Sequence, residues 1–339
     1  MINKTARNII FAISAAATFC LLLWFIGAAG TGLIKYSSSE DSELKIYKYY
    51  GSSGCLYLME KNHIPVDKTY KDNLKNISAD FISHTDLRKT GSSELAKLIC
   101  ISEYFGLDIK NDLYSELHRR YNKESALFDE NYFDTYSGMT DDEKTAMRLA
   151  STDAVFTEFD SFGITDPEYD IKQLLADAFN KNIDKYDHND IYSGKWTITS
   201  ELENIFYYFL VNDDLSLIKY EKIWDVLGPN YLRNVFDTNK EQSGFVEKSI
   251  ENMSAVLTDN KAHDILGAKI KIPYTPQEYF NSLTDAEAFA YDPSSEKNSY
   301  YEYTLFVDLC KPDDLNLTEN EFFTSSVSGW LSDNMKDFQ

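Results

Sequence analysis

Residues 92–122 read SSELAKLICISEYFGLDIKNDLYSELHRRYN, and this stretch decides the fold. Leu95, Leu98, Ile99, Ser102 and Phe105 recur at helical spacing and form one apolar stripe. Gly106 stops that helix, since a left-handed residue just past a helix end is cheapest for glycine. After a short polar loop, Asn111 or Asp112 is placed to cap a second helix with Leu113, Leu117 and Tyr121 on its inner face. The product is a helical hairpin.

Versions of this hairpin recur on both sides. Towards the N-terminus, Gly54 to Asn62 reads as a helix, Ile64-Pro65-Val66 as a connector and Asp67 to Asn76 as the return helix. Towards the C-terminus, after a polar, aromatic insertion from Glu124 to Gly138, Thr140 and Glu143 form a capping box. The helix that follows runs through Met147, Ala150, Ala154 and Val155 to Phe159 and stops at Gly163. Thr165 and Glu168, with Pro167 in the first turn, predict a second capping box for a return helix bearing Leu174, Leu175, Ala178 and Phe179.

A fourth hairpin spans Ser200 to Gly228 around the turn Asn212-Asp213-Asp214, with Gly228-Pro229 as its stop. A fifth, Phe245 to Gly267, is read as two short helices around Thr258-Asp259-Asn260, and Thr275 to Tyr291 as an irregular helical segment. The sixth has a helix from Tyr300 to Cys310, a turn at Lys311-Pro312-Asp313-Asp314 and a last helix capped by Thr318 and Glu321. Lys269 to Tyr274 (KIKIPY) is the one strand candidate, and it is short. With 14 Gly and 7 Pro the chain lacks the turn residues an all-β protein of 339 residues requires, so the fold class expected is all-α.

The connectors fall near positions 62, 106, 163, 213, 259 and 312, a period close to that of HEAT and armadillo repeats. LICISEYFGLDIKNDLYSEL and VFTEFDSFGITDPEYDIKQLL also resemble the units of an α/α toroid of the terpenoid-cyclase and protein-prenyltransferase type. Such folds repeat an inner helix, a Gly-containing turn and an outer helix. The resemblance implies about six hairpins over residues 50 to 338, closed as a toroid or curved as a solenoid. It carries no chemistry with it, because the chain has no DxDD or DDxxD motif and no Asp/Cys/His set of a prenyltransferase zinc site.

Lys4 and Arg7 precede an uncharged run from Asn8 to Ile34, long enough to span a hydrocarbon core of ~30 Å. Positive charge before it and acid after it predict a cytoplasmic N-terminus at 1–8, a transmembrane signal anchor at 9–34, a tether at 35–41 (KYSSSED) and an extracytoplasmic helical-repeat domain at 42–339. Cleavage near Gly27-Ala28-Ala29, giving a secreted protein, is the alternative. The net charge is -22. Such a surface repels phosphate backbones, so no nucleic acid is expected as partner. The high aromatic content, 24 Tyr and 21 Phe, reads first as core packing between helices and second as an aromatic-lined concave face for a protein or polysaccharide.

No cofactor and no metal are expected. Cys20, Cys55, Cys100 and Cys310 form no CxxC and no disulfide framework, and free, buried thiols are predicted. Ser42-Glu43-Leu44-Lys45, Lys89-Thr90-Gly91 and Ser332-Asp333-Asn334 imitate the fragments of a penicillin-binding enzyme but stand in the wrong order. Among His63, His84, His118, His188 and His263 there is no HExxH or close pair, and His118 with Arg119 and Arg120 suits a helix C-terminus. Asp184 to Gly194 (DKYDHNDIYSG) is rich in oxygen ligands but breaks the EF-hand pattern and reads as an acidic surface loop.

Asp153 is the one catalytic candidate. It falls mid-helix among small, apolar neighbours, where a carboxylate is costly unless paired or facing a wet cavity. One reading is a hydrogen-bonded or solvated edge residue; the other is an acid facing the cavity of a toroid, as α/α glycoside hydrolases use, with no second acid identified. The leading functional expectation is a non-catalytic binding or scaffold module at the cell envelope. The rival is an α/α-toroid carbohydrate-active enzyme, a hydrolase or lyase.

Overall fold

The computed structural model describes residues 40–129, 138–189, 197–227, 253–268, 274–283 and 315–336. Within them the chain is all-α, with eleven α-helices and a single two-residue antiparallel pairing, Tyr121–Asn122 with Leu127–Phe128. The helices are α1 (Glu40–Lys61), α2 (Lys68–Ser83), α3 (Ser92–Phe105), α4 (Lys110–Arg119), α5 (Asp141–Ser161), α6 (Ile171–Asn182), α7 (Ile198–Val211), α8 (Glu221–Leu227), α9 (Met253–Leu266), α10 (Pro276–Asn281) and α11 (Glu321–Lys336).

The stretch quoted first becomes α3 and α4. Its apolar stripe is buried, and so are Ala96, Lys97, Cys100 and Ile101, so α3 is enclosed on nearly every side. It packs on α1 before it and α5 after it; α5 packs on α7, and α7 on α9. Helices α1, α3, α5, α7 and α9 therefore form one row, with α2, α4 and α6 each lying against its hairpin partner. Side-chain contacts fix their sense. Lys97 lies over the Tyr50 ring and Tyr104 meets Tyr57, so α1 and α3 advance together and are parallel. Lys97 pairs with Glu158 and Tyr104 meets Phe162, so α3 and α5 are parallel too.

One backbone device repeats along this row. Each of α1, α3, α5 and α7 ends in a left-handed residue, at His63, Gly106, Gly163 and Asp213 respectively. In each case the next amide donates to a carbonyl five residues back: Ile64 to Met59 (2.8 Å), Leu107 to Ser102 (2.8 Å), Ile164 to Phe159 (2.8 Å) and Asp214 to Phe209 (3.0 Å). This is the Schellman stop, which satisfies carbonyls the helix end leaves open. At Gly163 glycine is favoured by φ of +62°, and a Cβ there would stand 3.2 Å from the Tyr57 hydroxyl, a tight contact.

Several boundaries differ from the sequence reading. α1 begins at Glu40, inside the expected tether, and runs through Gly51 and Gly54 without a break. Burial of Tyr50, Ser52, Ser53 and Cys55 outweighs the weak helix propensity of the two glycines. α4 starts at Lys110 with Ile109 as its uncapped first boundary, so neither Asn111 nor Asp112 caps it, and Tyr121 belongs to the short strand pair. The Thr140–Glu143 box forms as expected. The Thr165–Glu168 box does not: α6 begins at Ile171, capped by Asp170.

The segment Thr258-Asp259-Asn260 is no turn. All three residues are buried within a continuous α9, where the Asn260 amide reaches the carbonyls of Val256 and Tyr274, both at 2.9 Å. With its polar groups satisfied the helix continues, and its stop is the left-handed Gly267. Asn320 rather than Thr318 caps α11, accepting from the Phe323 amide at 2.9 Å. Among the described residues no helix is long and apolar enough to cross a membrane. The predicted anchor at 9–34, Gly228-Pro229, most of KIKIPY and the helix from Tyr300 to Cys310 lie outside the described residues.

Candidate functional site

α5 lies in the middle of the row and presents two carboxylates to different neighbours. Glu158 faces α3. Its Oε1 pairs with the Lys97 ammonium, both side chains being almost fully buried. Lys97 Nζ also lies 5.1 Å from the ring centres of Tyr47 and Tyr50 on α1 and 3.3 Å from the Ser93 hydroxyl. The Cys100 thiol donates to the Glu158 carbonyl at 3.3 Å. Three helices are thus tied through one buried cation, which sequence reasoning missed. The signal was present: Lys97 is the only charge between Glu94 and Glu103, in an otherwise uncharged run.

Asp153, the predicted candidate, lies on another face of α5, towards α7. Phe156, one turn on, meets Tyr208 of α7 edge to face with ring centres 4.4 Å apart. The Asp153 side chain is half-buried as a residue, yet its Oδ1 is sealed from solvent and accepts no hydrogen bond. Burial alone pushes its carboxyl up to about 7 from an ordinary value of 3.8. The Tyr208 phenol is also pushed up, first by burial and then by Asp160, Asp214 and Asp153, and it engages the Asp160 carboxylate. The α5–α7 seam therefore combines an acidic field with two aromatic rings. Asp214 is itself paired with Lys172.

The C-terminal ends of the inner helices carry a run of aromatic side chains. Tyr57 stacks on Phe162 at 5.2 Å, and Tyr104 meets Phe162 at 6.4 Å and Phe105 at 4.7 Å. Tyr57, Tyr104 and Tyr208 are all partly open to solvent. The Tyr104 hydroxyl donates to Glu60 at 2.9 Å, and Lys71 lies 4.7 Å above its ring while also pairing with Glu60 at 2.6 Å.

The other candidates go elsewhere. His118 Nε2 contacts Asp166 Oδ2 at 2.7 Å, and the Asp166 carboxylate also accepts the Glu168 and Tyr169 amides. That bond set occupies the turn where the Thr165 box was expected. In the acidic loop, Asp187 Oδ1 accepts from the amide and side chain of Asn189 at 3.0 and 2.9 Å. Buried Glu203 accepts from Tyr186 at 2.7 Å and lies 3.6 Å from His188, which it pushes above the usual imidazole range. Among the described residues no three His, Cys, Asp or Glu side chains gather as a metal site. The Ser42 and Lys89 fragments lie in α1 and at the start of the α3 turn, and the Ser332 fragment in α11. Cys55 and Cys100 are buried thiols in no disulfide, and burial pushes the Cys55 thiol up.

No protein-family model matches this chain, and comparison with curated proteins and with solved structures gives no significant match. The functional reading therefore rests on the geometry above.

Proposed function

We propose that the chain is a helical-repeat binding or scaffold module of the cell envelope, built of about six hairpins in a toroid or curved solenoid. In this reading residues 9–34 anchor it in the membrane and the helical domain lies outside, or is secreted after cleavage. One observation carries the proposal: partly open aromatic side chains, Tyr57, Tyr104 and Tyr208, lie towards the C-terminal ends of three of the inner helices, α1, α3 and α7. Aromatic rings with a polar edge give large contact area at low entropic cost, which suits both protein and polysaccharide surfaces. The test is affinity electrophoresis of the full-length chain against a panel of envelope polysaccharides and envelope protein extracts. A ligand retained by Tyr57→Phe and Tyr104→Phe but weakened about tenfold or more by the two alanine variants supports the reading. Equal retention by phenylalanine and alanine variants of unchanged melting temperature removes the aromatic run as the binding face.

Asp153 favours a second reading, an α/α enzyme acting on carbohydrate. A carboxyl that titrates near neutrality is suited to general acid work. Turnover of any panel polysaccharide that Asp153→Asn lowers by ~10²–10⁴-fold, with the helical spectrum intact, would select that reading over the first.

A further inference from the structure

We propose that the edge of the helical domain where α2, α4 and α6 end rests on an anionic lipid surface, which turns the aromatic edge away from the membrane. This rests on the anchored form of the reading above and adds a surface of the folded domain to it. The first observation is a length. The anchor is expected to end at residue 34, and α1 begins at Glu40. The residues between them reach about 20 Å at full stretch. The start of α1 is therefore held close to the bilayer, and so is whatever shares its edge. The parallel sense of α1, α3 and α5 puts their first turns on that edge. α2 runs back along α1, with Lys71 beside Glu60 and Phe81 beside Tyr49. Contacts across the connectors bring the other ends to the same place. Arg120, just past α4, donates to the Leu87 carbonyl just past α2 at 2.8 Å. Lys181 at the end of α6 donates to the carbonyls of Lys123 and Glu124 at 3.3 and 3.1 Å, and Lys185 pairs with Asp142 in the first turn of α5 at 3.1 Å.

The second observation is charge. Arg88, Lys89, Arg119, Lys123, Lys181 and Lys185 are all exposed at this edge. Two of the acids among them are answered in place, Asp86 by Lys89 at 3.3 Å and Asp142 by Lys185 at 3.1 Å. The opposite edge reverses the balance: Asp67, Asp108, Asp112, Glu168 and Asp170 are exposed at and before the starts of α2, α4 and α6. With a net charge of -22 the chain opposes lipid phosphates over most of its surface, and the edge near the start of α1 is where that opposition is relieved. Attraction of Lys and Arg to an anionic leaflet fades within a Debye length, about 8 Å at physiological salt, so only the edge the tether holds near the bilayer takes part. Length and charge thus select the same edge independently. α1 then rises from the membrane and carries Tyr57 about 25 Å along its axis from Glu40, clear of the lipid surface.

The experiment is energy transfer in the full-length chain, reconstituted in vesicles of one part phosphatidylglycerol to two of phosphatidylcholine with an acceptor-labelled lipid. A donor fluorophore is placed at Ser83, exposed at the end of α2, or at Thr69, exposed near its start. The two positions lie about 20 Å apart along the helix axis. The expected result at ~0.15 M salt is a donor at Ser83 at least about 10 Å nearer the acceptors than one at Thr69, which allows for helix tilt. That difference should fall by half or more at ~1 M salt, where the Debye length is about 3 Å, and likewise at ~0.15 M salt in the double variant Arg88→Glu with Lys89→Glu. Both side chains are exposed, Lys89 by 72%, and an unchanged melting temperature shows the double variant to be folded. Resistance of the reconstituted chain to alkaline extraction reads the anchor separately. A chain that is extracted removes the anchored reading and this proposal with it. A chain that is retained, but with equal distances or with Thr69 the nearer, leaves the anchor standing and overturns the lipid-resting edge. A difference that neither salt nor the double variant changes also overturns it, since the tether alone then sets the orientation.

Discussion

Glu158 and Asp153 occupy the same helix five positions apart, and the structure treats them in opposite ways. Glu158 is sealed between α5 and α3 with the Lys97 ammonium against it and two tyrosine faces around that cation. Asp153, on the α7 side, has no cation; each acid keeps one buried oxygen without a donor, Oδ1 of Asp153 and Oε2 of Glu158, so the difference between them is the cation. The contrast separates two uses of a buried acid. On one seam the charge is consumed inside the fold and serves to hold three helices in register. On the other the charge is left incomplete, and the protein bears the cost of desolvating it.

The sharpest way to break this comparison is to remove the cation. Lys97→Met leaves Glu158 buried without a counter-ion and is expected to cost ~3–5 kcal/mol in chemical denaturation. Adding Glu158→Leu should recover most of that loss, since an apolar pair of similar volume is often as stable as a buried ion pair. A single variant as stable as the wild type would show that the pair holds nothing together.

Asp153 should respond to pH in the opposite sense to an ion-paired acid. Its carboxyl is pushed up to about 7, above its ordinary 3.8, so between these values the folded state holds a proton that the unfolded state has lost. Stability must then fall as pH rises from about 4 to 7. Asp153→Asn abolishes that fall, so its stability relative to wild type should climb over the same range. The gain is at most about 4 kcal/mol and less in proportion to the solvent reaching the side chain. A variant whose melting temperature tracks the wild type from pH 4 to 8 would place Asp153 with the satisfied acids and end the contrast.

The smallest effect concerns the helix stops. His63 holds a left-handed conformation where its counterparts at the ends of α3 and α5 are glycines. His63→Gly should stabilise the chain by about 1 kcal/mol, since a side chain at positive φ is strained. A loss of stability would mean that the imidazole makes a contact worth more than that strain.

Local signals in the sequence proved legible where they were complete. The α3 stripe followed by Gly106, the Thr140–Glu143 box and the Asn212–Asp214 turn all appear where expected, because each is settled within a few residues. The failures share a different cause. The sequence reads as a first helix from Gly54 although α1 begins at Glu40, and Thr258-Asp259-Asn260 reads as a turn, but tertiary burial carries both segments inside continuous helices. Thr165 lost its capping role to Asp170, and the turn before it is held by Asp166, whose carboxylate meets His118, 48 positions away in sequence. At the candidate site Asp153 was legible as a carboxylate among small apolar neighbours. Lys97, Glu158 and Tyr208 were not, since their significance lies in which helices meet, and periodicity carries no information on that.

The shared stops at His63, Gly106, Gly163 and Asp213 have an electrostatic consequence of their own. Because α1, α3 and α5 run parallel, the final carbonyls of these three helices converge at one edge, each helix contributing about half a negative charge there. The return helices begin at that edge and offset part of this field from one layer away. Lys61 lies 5.8 Å above Tyr57 and Lys71 4.7 Å above Tyr104. These lysines sit where the macrodipoles of α1 and α3 end, so the aromatic edge carries backbone polarisation in addition to its side-chain charges, and its attraction for hydrogen-bond donors weakens with ionic strength only to the extent that solvent reaches those carbonyls.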